Sequence, residues 1–142
     1  MGTTAIRARG LAALACLVAF GAALTTSACS EDDAQEAGRI EMPAFQDDRL
    51  AAGRSVWLGT CRACHLLGVA GAPAVTDARV WEARLEKGRE ALYRSALNGI
   101  RGEDGKYRMP PRGGNSRLTD EQVQLAVDYK LAAIERLTTP SR

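Results

Sequence analysis

The sequence is poor in several residue types. Its 142 residues include one histidine and seven aromatic side chains (two Trp, three Tyr and two Phe), which are few for a hydrophobic core. No stretch alternates convincingly between polar and apolar residues, so a β-sheet core is not expected. Without Arg7 and Arg9, which belong to a leader, the chain carries 17 basic and 17 acidic side chains (19 minus 2, against 17). This balance does not indicate a strongly basic nucleic-acid binder.

Residues 1–28 have the three parts of a secretory signal peptide. Arg7 and Arg9 form a positive start, an apolar run follows from Leu11 to Leu24, and small residues come next. The apolar run is about fourteen residues long, short of the twenty or so that cross a bilayer as a helix. We therefore expect a cleaved signal and an exported, periplasmic protein; an uncleaved membrane anchor is the alternative.

Cys29 directly follows this signal. The run from Leu24 to Cys29 resembles a bacterial lipobox, although Thr26 stands where that pattern usually has Leu. We predict that Cys29 is acylated and holds the protein at a membrane, because an unpaired thiol on an exported protein is a liability. Ordinary cleavage before Cys29 is the alternative. Residues 29–46 are acidic with almost nothing apolar to bury, and we expect a flexible tether that leads to a folded domain at residues 47–142.

The stretch that carries chemistry is Cys61 to His65, which reads Cys-Arg-Ala-Cys-His. Two thiols on one helical turn can each add to one vinyl group of a haem, and the adjacent imidazole then reaches the iron. A thioredoxin-like redox pair needs a βαβ setting, which is not predicted here. A zinc site needs four ligands, but the chain has no second Cys pair and no second His. A disulfide would leave His65 without a role, so we predict one haem c bound covalently by Cys61 and Cys64, with His65 as an axial ligand.

Helical periodicity predicts an all-α domain. A porphyrin in its interior would supply much of the apolar surface that the scarce aromatics do not. Leu50, Gly53 and Trp57 share one face of the first predicted helix. The predicted elements are a helix from Asp47 or Asp48 into Cys61, a loop from Leu66 to Val75, a helix capped by Asp77 and ending before Gly88, a helix from Arg89 to Asn98, a long loop from Ile100 to Leu118, and a helix from the capping box Thr119–Gln122 to about Leu137.

The second axial ligand decides between electron transfer and ligand chemistry. Two-His ligation within one subunit is excluded because His65 is the only histidine. Met1 is lost when the leader is cleaved, so Met42 and Met109 remain as candidates. Met42 falls in the predicted tether, where nothing is expected to hold it, whereas Met109 lies in the long loop and precedes two prolines that stiffen the backbone. We predict Met109 as the ligand; a five-coordinate iron with Met109 on the surface is the alternative.

The order of motifs resembles that of the class I c-type cytochromes, and is closest to the bacterial "c-five" type, over roughly residues 48–137. The resemblance implies a small fold of four to five helices wrapped around one covalently bound haem. It also implies that the first and last helices cross near Gly53, facing Ala126 or Tyr129, and that the Pro73 carbonyl accepts a hydrogen bond from His65. Residues 103–108 lengthen the segment before Met109. The motifs are Cys61–His65, Gly71–Pro73, Ala96–Gly99, Met109–Asn115 and Leu118–Gln122.

With His and Met on the iron, the expected function is that of a one-electron carrier without a substrate of its own. Its partners would be redox proteins: a donor complex or dehydrogenase, and a terminal oxidase or reductase. We expect a monomer. From Arg84 to Arg112 the chain has eight basic and four acidic residues, which would favour docking to an acidic partner or form an ordinary solvated surface. The alternatives are a haem subunit of a larger oxidoreductase and a five-coordinate peroxidase or ligand-binding protein.

Overall fold

The structure, a computed structural model, describes residues 39–139. The predicted signal peptide, Cys29 and the first part of the predicted tether lie outside these residues. The all-α prediction is confirmed apart from one small two-stranded sheet. Within residues 39–139, none of the helices has the length and hydrophobicity that crossing a membrane requires. The elements in chain order are α1 (Asp48–Val56), a π-helical segment (Trp57–Cys61), α2 (Arg62–His65), a 3-10 turn (Val69–Gly71), α3 (Ala78–Leu85), α4 (Arg89–Asn98), β1 (Ile100–Arg101), β2 (Tyr107–Met109), a second 3-10 turn (Pro111–Gly114) and α5 (Asp120–Thr138).

The helices begin where the sequence places their caps. Asp47 accepts a hydrogen bond of 2.8 Å from the Leu50 amide at the start of α1, and Asp77 caps α3 in the same way. At the start of α5, the Gln122 amide donates to the Thr119 hydroxyl at 3.2 Å, and the Thr119 amide donates to the Gln122 side chain at 2.9 Å. This reciprocal pair is the predicted capping box.

Helices α1 and α5 cross at Gly53, as the resemblance implied. A Cβ atom at Gly53 would lie 2.1 Å from the Leu125 carbonyl oxygen and 3.0 Å from Cβ of Tyr129, so only glycine permits this approach. Beside the crossing, Trp57 and Tyr129 are both fully buried, with ring centroids 5.9 Å apart. The crossing therefore positions the π-helical segment that ends at Cys61.

The last residues of the predicted tether belong instead to the folded domain. Residues 40–45, which we call the N-terminal strap, pack on the core through Ile40, Met42 and Phe45. The Tyr129 hydroxyl donates to the Pro43 carbonyl at 2.9 Å. The prediction that residues 29–46 have almost nothing to bury was wrong for the strap, because three spaced apolar side chains find partners on distant elements.

The long loop before α5 contains a hairpin. Strands β1 and β2 are antiparallel: Ile100 pairs with Met109, and Arg101 pairs with Tyr107 across a register irregularity. The Gly102 amide donates to the Lys106 carbonyl at 2.8 Å and closes the hairpin tip. The extra residues 103–108 thus form the tip and most of β2, and Met109 ends that strand.

Candidate functional site

The two cysteines of the motif lie at the junction of the π-helical segment and α2. The Arg62 amide donates to the Trp57 carbonyl five residues earlier, which widens the turn that ends at Cys61. Both thiols are free: that of Cys61 is half-buried and that of Cys64 is exposed. Burial raises the pKa of the Cys61 thiol above its ordinary value. Because both thiols are free, the structure has no disulfide between Cys61 and Cys64.

His65, at the end of α2, is held in one orientation. It is buried, and its Nδ1 lies 3.0 Å from the Pro73 carbonyl oxygen. A carbonyl only accepts, so Nδ1 carries the proton and Nε2 keeps its lone pair for a metal. The pKa of His65 is lowered to about 4, first by burial and then by the positive charge of Lys130, while the bond to Pro73 opposes the shift. The imidazole is thus neutral at pH 7, as a metal ligand must be.

The loop after His65 fixes the position of Pro73. The Val75 amide donates to the His65 carbonyl at 2.9 Å, and the Trp81 indole donates to the Ala74 carbonyl at 2.7 Å. The Trp81 ring also lies beside the imidazole, with centroids 6.4 Å apart. These contacts keep the Pro73 carbonyl in place for His65.

Met109 ends β2 half-buried, and the turn that follows it rests beside the cysteine motif. The Asn115 amide group donates to the Thr60 hydroxyl at 3.4 Å. A Cβ atom at Gly113 would lie 3.1 Å from the Thr60 methyl group. The loop that carries Met109 is therefore packed against the residue that precedes Cys61.

Arg112 closes this loop from the other side. Its guanidinium donates to the Leu118 carbonyl at 2.9 Å and to the Asp120 carboxylate at 2.6 Å. Its backbone adopts a left-handed conformation with φ of 55°, which is strained for a non-glycine residue. These bonds tie the loop to the start of α5. The sequence placed Arg112 among the basic residues and in the Met109–Asn115 motif, but it did not predict these hydrogen bonds.

Met42, the other candidate sulfur ligand, lies in the core. Its side chain is 4% exposed and belongs to the same cluster as Trp57 and Tyr129, and its carbonyl accepts a bond of 3.3 Å from Arg54. The expectation that nothing holds Met42 was wrong. Because the Met42 side chain packs in the core, Met109 is the methionine that remains available on the loop beside Cys61.

The side chains available here fit a covalently bound haem. They provide two free thiols three residues apart, a neutral imidazole with an available Nε2, and a thioether on a loop that hydrogen bonds hold in place. In the part of the chain that the structure describes, no group of three or more His, Cys, Asp or Glu side chains comes together to hold a metal ion.

Sequence reasoning missed Lys130. Its ammonium group lies 4.1 Å from the centroid of the Trp81 ring. The pKa of Lys130 is lowered to about 7, mainly by burial. Lys130 interrupts an otherwise apolar face, since Val127, Ala133 and Ile134 lie three and four residues away. That interruption is the signal that could have drawn attention to it.

The folded domain of this chain is similar to known proteins. The family model described as "Cytochrome C oxidase, cbb3-type, subunit III" matches residues 48–129. Cytochrome c-555 of Chlorobaculum tepidum is 40% identical over 79 residues, which cover 56% of this chain and 71% of that protein. Cytochrome c5 of Ectopseudomonas mendocina is 32% identical over 69 residues, or 47% and 72% of the two chains. A cytochrome chain from a solved structure, described as "Crystal structure of electron transfer complex of nitrite reductase with cytochrome c", is 35% identical with a TM-score of 0.51, over 58% of this chain and 94% of that chain.

Proposed function

This chain belongs to the c-type cytochromes, and we propose that it binds a single haem c through Cys61 and Cys64, with His65 and Met109 as the axial ligands. Like its relatives, it is a c-type haem electron carrier rather than an enzyme. The observation that carries the ligand proposal is the buried, neutral imidazole of His65, which the Pro73 carbonyl orients. One haem follows from the presence of one Cys-x-x-Cys-His motif and one histidine in the whole sequence.

Each residue of the site has a separate task in this proposal. Bound haem supplies the one-electron couple of its iron. Pro73 fixes the tautomer of His65 and raises its basicity as a ligand. Arg112 and Asn115 hold the Met109 loop closed on both sides. With His65 and Met109 both holding the iron, substrates would be kept from it and the haem would carry only an electron.

The covalent bond is tested on the exported protein by its intact mass and by acid–acetone extraction. We expect one haem per chain that remains with the polypeptide after extraction. Replacement of both Cys61 and Cys64 by Ala should release the haem into the organic layer. A wild-type polypeptide without the added mass of haem would contradict the proposal.

The partners are other redox proteins, as the cytochrome in complex with nitrite reductase illustrates for a relative. For this chain we propose an acidic docking face on the partner. Arg101, Lys106 and Arg108 lie exposed on the hairpin that leads to Met109, where their charge would meet a carboxylate-rich surface close to the site.

A second candidate function is that of a haem subunit in a larger oxidoreductase. The description of the matching family model as an oxidase subunit favours it. Gentle detergent extraction followed by size-exclusion chromatography distinguishes the two. A free carrier elutes alone at the mass of one chain, and a subunit elutes with a stoichiometric catalytic partner.

The protein is exported to the periplasm, as c-type cytochromes are, and we propose that Cys29 tethers it to the membrane through acyl chains. Because the N-terminal strap is part of the domain, the tether in this proposal is shorter than residues 29–46. Labelling with a radioactive fatty acid tests the anchor: label on the wild type and none on Cys29→Ser supports it. An unlabelled wild type would contradict it.

A further inference from the structure

Lys130 places a positive charge beside the proposed iron ligand. Its ammonium lies 4.1 Å from the Trp81 ring centroid, and that ring lies 6.4 Å from the imidazole of His65. The charge and the imidazole are therefore separated by no more than the sum of these two distances.

Within residues 39–139, no carboxylate lies close enough to the ammonium of Lys130 to form a salt bridge with it. Its neighbours one turn away on α5 are apolar, and the loop from Leu66 to Val75 contains no ionisable side chain. The titratable groups that interact with it are His65, which is neutral, Cys61, which is uncharged once bonded to haem, and Arg84, which is also positive.

Trp81 holds the ammonium group of Lys130 through a cation–π contact. The face of an indole ring attracts a cation, and the attraction is strongest where water is scarce. Trp81 is 4% exposed and is itself fixed by its bond to the Ala74 carbonyl. The same aromatic ring thus contacts the cation and lies next to the imidazole.

We propose that Lys130, held against the Trp81 ring, is a positioning residue. Its charge raises the reduction potential of the haem from the side of His65. Oxidation of the iron adds one positive charge close to the ammonium, whereas reduction by a redox partner removes it. The ammonium therefore favours the reduced form and raises the potential, and it exchanges neither electron nor proton with the haem. This inference rests on the proposed haem site.

The test is a potentiometric titration of the purified holoprotein and of Lys130→Met, which keeps the length of the side chain and removes its charge. At about pH 5, where the ammonium is protonated, Lys130→Met should lower the ratio of reduced to oxidised haem at a fixed ambient potential by roughly tenfold, or 59 mV for a one-electron couple. Lys87→Met, at an exposed position after α3, is the matched control and should leave the ratio unchanged.

The effect should depend on pH in a defined way. Because burial lowers the pKa of Lys130 to about 7, the difference between wild type and Lys130→Met should shrink above about pH 9. Lys130→Arg stays charged there and should keep the high potential. A merely structural lysine would not give this contrast.

The outcomes separate this inference from the haem assignment. Lys130→Met removes a partly buried charge that forms no salt bridge within residues 39–139, so it should unfold at the same or a higher urea concentration than wild type while its potential falls. A potential equal to that of Lys87→Met at acid pH, with the haem spectrum intact, overturns the role of Lys130 alone. A wild-type protein without covalent haem overturns the haem site and this inference with it.

Discussion

The surroundings of His65, the proposed iron ligand, keep its imidazole neutral and fix its tautomer. Burial and the nearby Lys130 lower its pKa from 6.5 to about 4, and the Pro73 carbonyl fixes the proton on Nδ1. Protons compete with the metal only for Nε2, and only when the pH approaches that lowered pKa. The sequence predicts His65 as a ligand but not its neutrality, because its burial and its proximity to Lys130 come from residues far apart in the chain.

Acid titration of the oxidised holoprotein tests this point. Without a metal, the folded-state pKa of His65 is already lowered to about 4, below its ordinary value. A bound iron would compete with the proton for Nε2, so the imidazole of the holoprotein should stay unprotonated as the pH falls through 6.5 and down to at least about pH 5. We therefore expect the low-spin absorption spectrum to stay constant from pH 7 to about pH 5 and to change only below that. A transition centred near pH 6.5 would contradict this description of His65.

At the scale of elements, the crossing of α1 and α5 depends on a missing side chain. Gly53→Ala would place a methyl group against the Leu125 carbonyl oxygen, at 2.1 Å without movement. We expect a loss of about 2 kcal/mol or more in the free energy of unfolding, since the obstacle is backbone and the helices must separate. Urea denaturation of the holoprotein measures this change.

Gly59→Ala is the matched control for that substitution. Gly59 lies in the π-helical segment next in sequence, and a Cβ atom there would meet nothing within 4 Å. Alanine restricts the unfolded chain and should leave stability unchanged or raise it by about 0.5–1 kcal/mol. Equal losses at the two positions would show that the crossing is not the reason for glycine at Gly53.

The elements divide into those that local chemistry defines and those that it does not. Helices α3, α4 and α5 were predicted with nearly their observed bounds, because caps such as Asp77 and Thr119 act on amides within three residues. The hairpin was missed because strands of two and three residues show no alternation. The N-terminal strap was missed because its order depends on Tyr129, a residue 86 positions away from Pro43.

At the scale of the whole molecule, charge is balanced in number but not in place. The chain without its leader has as many acidic as basic side chains, so long-range attraction has to come from local asymmetry. The hairpin before Met109 concentrates Arg101, Lys106 and Arg108, although Asp104 lies within 3.8 Å of Arg108 and offsets part of the charge.

The ionic-strength dependence of electron transfer measures that asymmetry. We expect the oxidation of the reduced protein by the ferricyanide anion to slow as salt rises, because salt screens attraction to the hairpin. In Lys106→Glu/Arg108→Glu the slope should vanish or reverse. A single-site control, Arg136→Glu on the last turn of α5, should keep most of it. A wild-type rate independent of salt would argue against a docking role for the hairpin.

For the candidate site, spacing and motif order in the sequence predict the roles of Cys61, His65 and the Met109 loop. What could not be read is how the Met109 loop is held. Arg112 and Asn115 reach the start of α5 and the residue before Cys61, and these contacts exist only after the chain has folded. The position of Lys130 could not be predicted either, because its neighbour Trp81 comes from another helix.

The most direct test of the central claim is the weak near-infrared absorption band that a methionine sulfur gives when it is bound to ferric haem iron. We predict that the oxidised wild type shows this band, that Met109→Ala loses it and falls in potential, and that Met42→Leu keeps it because Met42 is a core residue. Loss of the band in Met42→Leu, its survival in Met109→Ala, or its absence from the wild type would contradict the account.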